Sequence, residues 1–305
     1  MTDLLLMLIT ILVSGSRTSD GWPFPQASVL DNGLENTDGI VSYLTRLGEN
    51  LFGEPSPESG NRVAKWNAEM NVNPEELGEY IEGDILFPSA MGRNGLKPTS
   101  ARWPNGVIPY MISPYFNKEQ RALIQEAMDD YQKDTCIQFK PYTGEESDYI
   151  RITAGNTGCW SSVGKIGGRQ DMNLQVPGCV TKKGTVIHEL MHVIGFLHEH
   201  SRYERDDFVS VQWRNIQTGH EKNFEKASRK TTDAFGVHYD YGSVMHYSSG
   251  AFSKNGQPTL IPRGTDTKEI GQRVGFSKKD IQKIRRMYKC AISKRSFSLS
   301  DFFFF

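Results

Sequence analysis

The 305-residue chain lacks several features that would place it in common classes. Its only long apolar run, Leu4 to Val13, is far below the roughly 20 residues an α-helix needs to cross a bilayer, so no transmembrane anchor is expected. Neither sign of charge is in excess: 35 Lys and Arg stand against 36 Asp and Glu, a formal net charge of −1. With no basic stripe either, the chain has no electrostatic footprint for nucleic acid. Cysteine is scarce, four in all, and no two form a Cys-x-x-Cys pair, which argues against a zinc ribbon or a thioredoxin-like redox site. There is no internal repeat and no Asn-x-Ser/Thr acceptor for glycosylation. What remains is ample for a packed core: 37% hydrophobic residues, 11% aromatic and 23% charged.

The apolar run has the length of a secretory signal, and the small residues Ser14, Gly15 and Ser16 suit a cleavage site, although Asp3 and no Lys or Arg precedes it. Residues 1–16 therefore read as a signal peptide, implying a secreted, soluble protein. From 17 to about 62 the chain is rich in Ser, Gly, Pro, Asn and Asp. Ile40, Val41, Leu44 and Leu47 recur there at helical spacing, before the breaker-rich stretch GEPSPESGN from Gly53. A second amphipathic stretch runs through Trp66 and Met70 to Leu77, Tyr80 and Ile81. The segment GDILFPSAMGRNG then reads as an extended, exposed connector.

Composition changes at Trp103, where WPNGVIPYMI has the look of an opening strand. Asn117 and Gln120 form a capping box for a helix buried through Leu123, Ile124, Ala127, Met128 and Tyr131. Strands are expected at 136–139, 149–153 and 172–176, with a loop and edge strand between Gly155 and Gly168. Helices are expected over about 184–196 and after Ser277, whose box partner is Asp280, with Ile281, Ile284, Met287 and Tyr288 on one face. Strands before the long helix and irregular chain after it indicate an α+β domain rather than repeated βαβ units.

An even number of cysteines behind a signal peptide reads as two disulfides in an oxidising compartment. Cys136, Cys159, Cys179 and Cys290 allow three pairings. A Cys136–Cys290 bond would staple the last helix to the first half of the domain and is preferred. Closing the loop from Cys159 to Cys179 is worth about 3 kcal/mol in the chain-entropy view.

The chemistry lies in the run from His188 to His198, HELMHVIGFLH. His188 and His192 are four residues apart, so both imidazoles leave one face of a helix and each can reach a single zinc ion. Glu189 sits about 100° further round, able to touch a water on the metal without ligating it. Gly195 tolerates the left-handed backbone that ends a helix sharply, letting His198 return as third ligand. Three protein ligands leave a position for water, as catalytic zinc sites do. Chance odds of HExxH with the further Gly and His at fixed positions are of order 10⁻⁵. His200 is the one competitor for the third place, and the fixed spacing favours His198. His246 belongs to a turn, where packing or hydrogen bonding is expected of it; His220 and His238 have no ligand spacing, and Lys222, Lys226, Arg229 and Lys230 read as a solvated basic face.

The extended motif, followed by the methionine-bearing turn Ser243-Val244-Met245-His246-Tyr247, resembles the astacin family of metalloendopeptidases in the metzincin clan. The resemblance covers about residues 94 to 290, including Gly158-Cys159-Trp160-Ser161, Val163-Gly164, Gly167-Gly168 and Cys179. The matrix metalloprotease branch fits less well, because no cysteine lies in the segment before the catalytic domain. The resemblance implies a two-lobed domain with the zinc helix at the floor of the cleft, preceded by a largely extended propeptide. It implies one zinc ion on His188, His192 and His198, Glu189 as general base, and Tyr247 as stabiliser of the oxyanion. Met245 would form a hydrophobic floor and Glu199 would anchor the newly freed N-terminus. The disulfides would be Cys136–Cys290 and Cys159–Cys179. One departure is Arg202-Tyr203-Glu204-Arg205-Asp206, where the family usually has Arg-x-Asp-Arg-Asp; it bears on local ion pairing more than on zinc chemistry.

Ile81-Glu82-Gly83-Asp84 is similar to the family's propeptide motif Phe-x-Gly-Asp, with Ile in place of Phe. By that resemblance Asp84 takes the open zinc position, Gly83 letting the backbone come close. Arg93–Asn94 suits trypsin-like activation, dividing the chain into a signal (1–16), a propeptide (17–93), a catalytic domain (94–290) and a tail (291–305) that ends in the unexplained run Phe302–Phe305. Protein or peptide substrates and an activating protease are the implied partners. Two competitors remain. A non-catalytic binding or adhesion protein on the same scaffold would usually have lost Glu189 or a ligand. A protease of another metzincin branch would pair its cysteines differently.

Overall fold

The computed structural model describes residues 52–88, 102–229, 232–264 and 269–291. The signal at 1–16, the apolar patch at 40–47, the Arg93–Asn94 bond, Lys230 and the tail from 292 lie outside the described residues.

The N-terminal segment differs from its sequence reading. Strand β1 (Phe52–Gly53) is followed by helix α1 (Pro57–Val63), inside the stretch taken as breaker-rich. Ser56 caps this helix by accepting from Ser59 N, and Pro57 stands at its first position, where a missing N–H costs nothing. The amphipathic stretch expected from Trp66 yields only a 3₁₀ turn at Pro74–Leu77, since the chain up to Asn73-Pro74 forms turns and bends. Strand β2 (Phe87–Pro88) pairs in parallel with β1. The connector starting at Gly83 is buried rather than exposed through Phe87: Ile85 is 0% accessible, Leu86 2% and Phe87 3%.

Pro104, and Asn105 and Gly106 at positive φ, turn the chain before strand β3 (Val107–Ile112), so the strand starts four residues later than expected. Helix α2 (Lys118–Asp134) carries the expected box, Gln120 N donating to Asn117 Oδ1 at 2.8 Å and Asn117 N to Gln120 Oε1 at 2.9 Å. It buries Ile124, Ala127, Met128 and Tyr131. β4 (Gln138–Pro141), β5 (Tyr149–Thr153), β6 (Cys159–Ser161) and β7 (Arg169–Leu174) complete a five-stranded sheet of order β4-β3-β5-β7-β6. Three pairings are parallel; only β6, at the edge, runs antiparallel to β7. The β3–α2–β4 crossover is a single βαβ unit, and beyond it helices and strands segregate as in an α+β domain.

Helix α3 (Lys183–Val193) is buried on every side from Gly184 onward, the condition of a core helix. After it, β8 (Val209–Val211) pairs with β9 (Leu260–Pro262), and α4 (Lys278–Met287) closes the domain behind its Ser277–Asp280 box. Disulfides join Cys136 to Cys290 and Cys159 to Cys179. One apolar cluster unites the sheet, α2, α3 and the Ile284–Met287 face of α4. A second forms after His198 around Phe224, Tyr239, Tyr247 and Phe252. These are the cores of the two lobes.

Candidate metal centre

Helix α3 is fixed by polar side chains reaching its backbone from elsewhere. Tyr131 donates to Ile187 O at 2.7 Å, Trp103 Nε1 to Val193 O at 2.9 Å, and Tyr288 to Ile194 O at 2.8 Å. Its C-terminus is a Schellman turn: Gly195, at φ +110°, donates to His192 O and Phe196 N to Met191 O. Only glycine takes that backbone without strain, and the reversal brings His198 back to the helix. Nε2 of His198 lies 3.1 Å from Nε2 of His188, close to the separation of about 3.3 Å that two nitrogens on one tetrahedral zinc require.

The outer nitrogens settle the tautomers. Nδ1 of His188 faces Val244 O at 2.8 Å, Nδ1 of His192 faces Phe196 O at 2.7 Å, and Nδ1 of His198 faces Glu82 Oε2 at 2.7 Å. Each acceptor holds a proton on Nδ1 and leaves Nε2 with its lone pair turned inward, the form in which imidazole binds metal. Into this group comes Asp84, its Oδ2 2.9 Å from His188 Nε2 and 3.3 Å from His198 Nε2, its Oδ1 3.4 Å from His192 Nε2. The four residues are buried, and their ligand atoms lie within 4.8 Å of one another. Gly83, at φ +84°, packs so closely on the Phe252 ring that a Cβ would meet it at 2.9 Å.

A metal fits this arrangement. His192 Nε2, Asp84 Oδ1 and both carboxylate oxygens of Glu189 are buried without a hydrogen-bond partner, and such atoms are costly unless something satisfies them. The local field agrees. Burial works against charge on His198, but the carboxylates of Asp84 and Glu82 outweigh it and push the imidazole up to about 10. At His188 burial, with Arg273 adding to it, lowers the imidazole to about 4, so its Nε2 keeps the lone pair that a metal needs. Burial raises Asp84, yet His198 and His192 hold it well below the usual carboxylate range. Glu189 is driven well above that range by burial, with the negative charges of Asp84 and Glu75 adding to it.

The neighbours fall into two groups. Tyr247 donates to the carbonyl of Glu82 at 2.7 Å, with its ring centroid 4.7 Å from that of His198. Met245 is buried in the cluster that holds α3, and its carbonyl accepts from Glu199 N. Glu199 lies deeper, accepting from Lys283 Nζ at 2.7 Å, Arg202 Nη1 at 2.9 Å and Asp240 N at 2.9 Å. Burial raises its carboxyl, but Lys283 and Arg202 bring it below its ordinary value. His200 takes no part in the group; its Nε2 faces Asn223 O at 2.8 Å and its ring stacks on Tyr247. His246 bonds Tyr239 and the Tyr247 carbonyl, and His238 is exposed. In the divergent Arg202–Asp206 run, Arg202 pairs with both Glu199 and Glu204, and Arg205 with Asp206.

The profile of the Astacin peptidase family matches residues 95–289. The chain belongs to the astacin family. Zinc is therefore the metal that the His188, His192 and His198 group suits, and residues 95–289 are an astacin-type zinc metallopeptidase domain. Zinc metalloproteinase nas-13 of Caenorhabditis elegans is 47% identical over 224 residues, 73% of this chain and 49% of that protein. Astacin-like metalloendopeptidase of Mus musculus is 44% identical over 261 residues, 84% of this chain and 58% of that protein. Among solved structures, the hatching enzyme zinc-protease HCE-1 of Oryzias latipes superposes with a TM-score of 0.58 at 38% identity, covering 62% of this chain and 94% of its own. The chain spans about half the length of the curated relatives it matches. No helix among the described residues is long and apolar enough to cross a membrane.

Several participants left no mark in the sequence reading. Glu82 stands at the free position of the Ile81–Asp84 motif. Glu75 pairs with the buried Arg273, and Glu76 accepts from Ser248 N and Oγ. These contacts join residues at least 116 positions apart, beyond what any local spacing reports.

Proposed function

We propose that the chain is the secreted precursor of an astacin-type zinc endopeptidase, kept inactive by its own N-terminal segment. The observation that carries this reading is the Asp84 carboxylate among the three inward nitrogens, where an attacking water would have to stand. His188, His192 and His198 would hold the zinc ion. Zinc in such a site supplies a Lewis acid and makes a water acidic enough to react near neutral pH.

The protein's own groups account for the rest. Glu189, buried beside His188 with neither carboxylate oxygen hydrogen-bonded, would accept a proton from the attacking water and deliver it to the leaving amine. The Tyr247 hydroxyl, released from the Glu82 carbonyl, would donate to the oxygen on which negative charge develops. The polypeptide substrate has a ready backbone partner in edge strand β6: Ser161 N donates to Asp84 O at 2.9 Å and Leu86 N to Ser161 O at 3.1 Å, the pattern of an added strand. Cleavage at Arg93–Asn94 by an activating protease would free that edge, and the new N-terminus would turn to Glu199.

Glu189→Gln tests the enzyme reading: the activated variant should bind zinc like wild type yet lose about 10²–10⁴-fold in kcat/KM on a denatured protein substrate. Equal activity would identify a different base. Asp84→Ala tests the latch: the intact precursor should hydrolyse peptide before any cleavage, whereas a silent variant would mean that the segment acts only by covering the cleft.

A further inference from the structure

Glu82 is an expensive residue in its position. Its backbone has φ +47°, in the left-handed region that disfavours residues with a Cβ, and Gly83 follows at φ +84°. Were only a tight turn needed, glycine at 82 would serve better. The side chain is instead 1% accessible and held at both oxygens. Oε2 faces His198 Nδ1 at 2.7 Å, and Oε1 accepts from Ser201 Oγ at 2.8 Å. Its backbone is held too: the amide donates to Asn223 Oδ1 at 3.1 Å, and the carbonyl accepts from Tyr247 Oη at 2.7 Å.

We propose that Glu82 is a second latch of the precursor, acting on the protein side of the metal centre while Asp84 acts on the metal side. This rests on the latch reading of Asp84. His188 and His192 find their outer acceptors in backbone carbonyls of their own domain, Val244 and Phe196. The acceptor at His198 comes from the N-terminal segment. The precursor thereby supplies the group that orients one imidazole and, through the carbonyl of the same residue, occupies the hydroxyl of Tyr247. Removing the segment would release both at once. The left-handed backbone at Glu82 is tolerated because the carboxylate contacts over-determine it.

Glycine separates this role from a merely structural one. Glu82→Gly relieves the backbone and keeps the carbonyl for Tyr247, deleting the side chain that carries the carboxylate. A turn-forming role predicts equal or tighter docking; the latch predicts looser docking. The measurement is hydrogen exchange in the full-length, uncleaved precursor at the amides of Gly83, Ile85 and Leu86, which donate to Tyr80 O, Ile81 O and Ser161 O. Exchange at these amides should quicken roughly ten- to hundredfold, the range for losing hydrogen bonds to a charged buried group. Zinc transfer from the same precursor to a chelator should quicken with it. Ser201→Ala, made from the catalytic side, should loosen the segment less in wild type and not at all in the Glu82→Gly background. Unchanged or slower exchange in Glu82→Gly, or full additivity with Ser201→Ala, would overturn the proposal. Asp84→Ala run in parallel keeps the readings apart: if it leaves both exchange and activity at precursor levels, the Asp84 latch itself fails.

Discussion

At the scale of single residues, the site is a set of buried polar atoms, several of which have no hydrogen-bond partner. Glu189 has no partner at either oxygen, and the imidazoles turn lone pairs inward because carbonyls and a carboxylate hold their other nitrogens. Tyr247 is tied to the N-terminal segment by a hydrogen bond that it would surrender in the proposed mechanism. Tyr247→Phe in the activated enzyme should therefore lower kcat by about 10²–10³ with little change in KM or zinc content; a kcat within twofold of wild type would remove the tyrosine from the reaction. The histidines were legible in sequence because i and i+4 on one helix face is a local relation, and Gly195 announces the reversal that returns His198. Glu82 was not, because its partners are 116 to 165 residues away and nothing in its neighbourhood marks it.

At the scale of elements, α3 and α4 show what burial demands. Lys283 on α4 is sealed against Glu199, just after the last histidine of the group. Burial lowers the ammonium's proton affinity, but Glu199 and Asp280 reverse that and leave it raised. A base with a raised folded-state value contributes stability in full below its unfolded value, about 10.5, and loses that contribution as pH climbs through the folded value. Lys283→Met should thus destabilise the domain by about 3–5 kcal/mol, roughly 10 °C in Tm, because Glu199 loses a buried partner. Its stability should also change less than wild type's above pH ~10.5 in denaturant titrations; parallel alkaline limbs would show that the pair is not the cause. Capping boxes at Asn117 and Ser277 were readable because they are four-residue patterns. The burial of Gly83–Phe87 was not: glycine, proline and polar neighbours look like a connector until β6 offers its open edge.

At the scale of the whole molecule, two disulfides tie distant parts of the domain together. Cys159–Cys179 closes a 20-residue separation and Cys136–Cys290 one of 154, so the chain-entropy view assigns about 3 and about 5 kcal/mol. Cys136→Ser/Cys290→Ser should accordingly cost more stability than Cys159→Ser/Cys179→Ser in urea unfolding, and the reverse order would mean that strain or residual structure outweighs loop length. The α+β class could be read from the order of elements, whereas the sheet order β4-β3-β5-β7-β6 could not, since parallel pairing is set by long-range packing. The most direct test of the account is metal content measured together with hydrolysis in the processed, purified protein. One zinc per chain, activity abolished by a chelator and restored by added zinc, is the predicted result. Undiminished hydrolysis by a metal-free protein would contradict it.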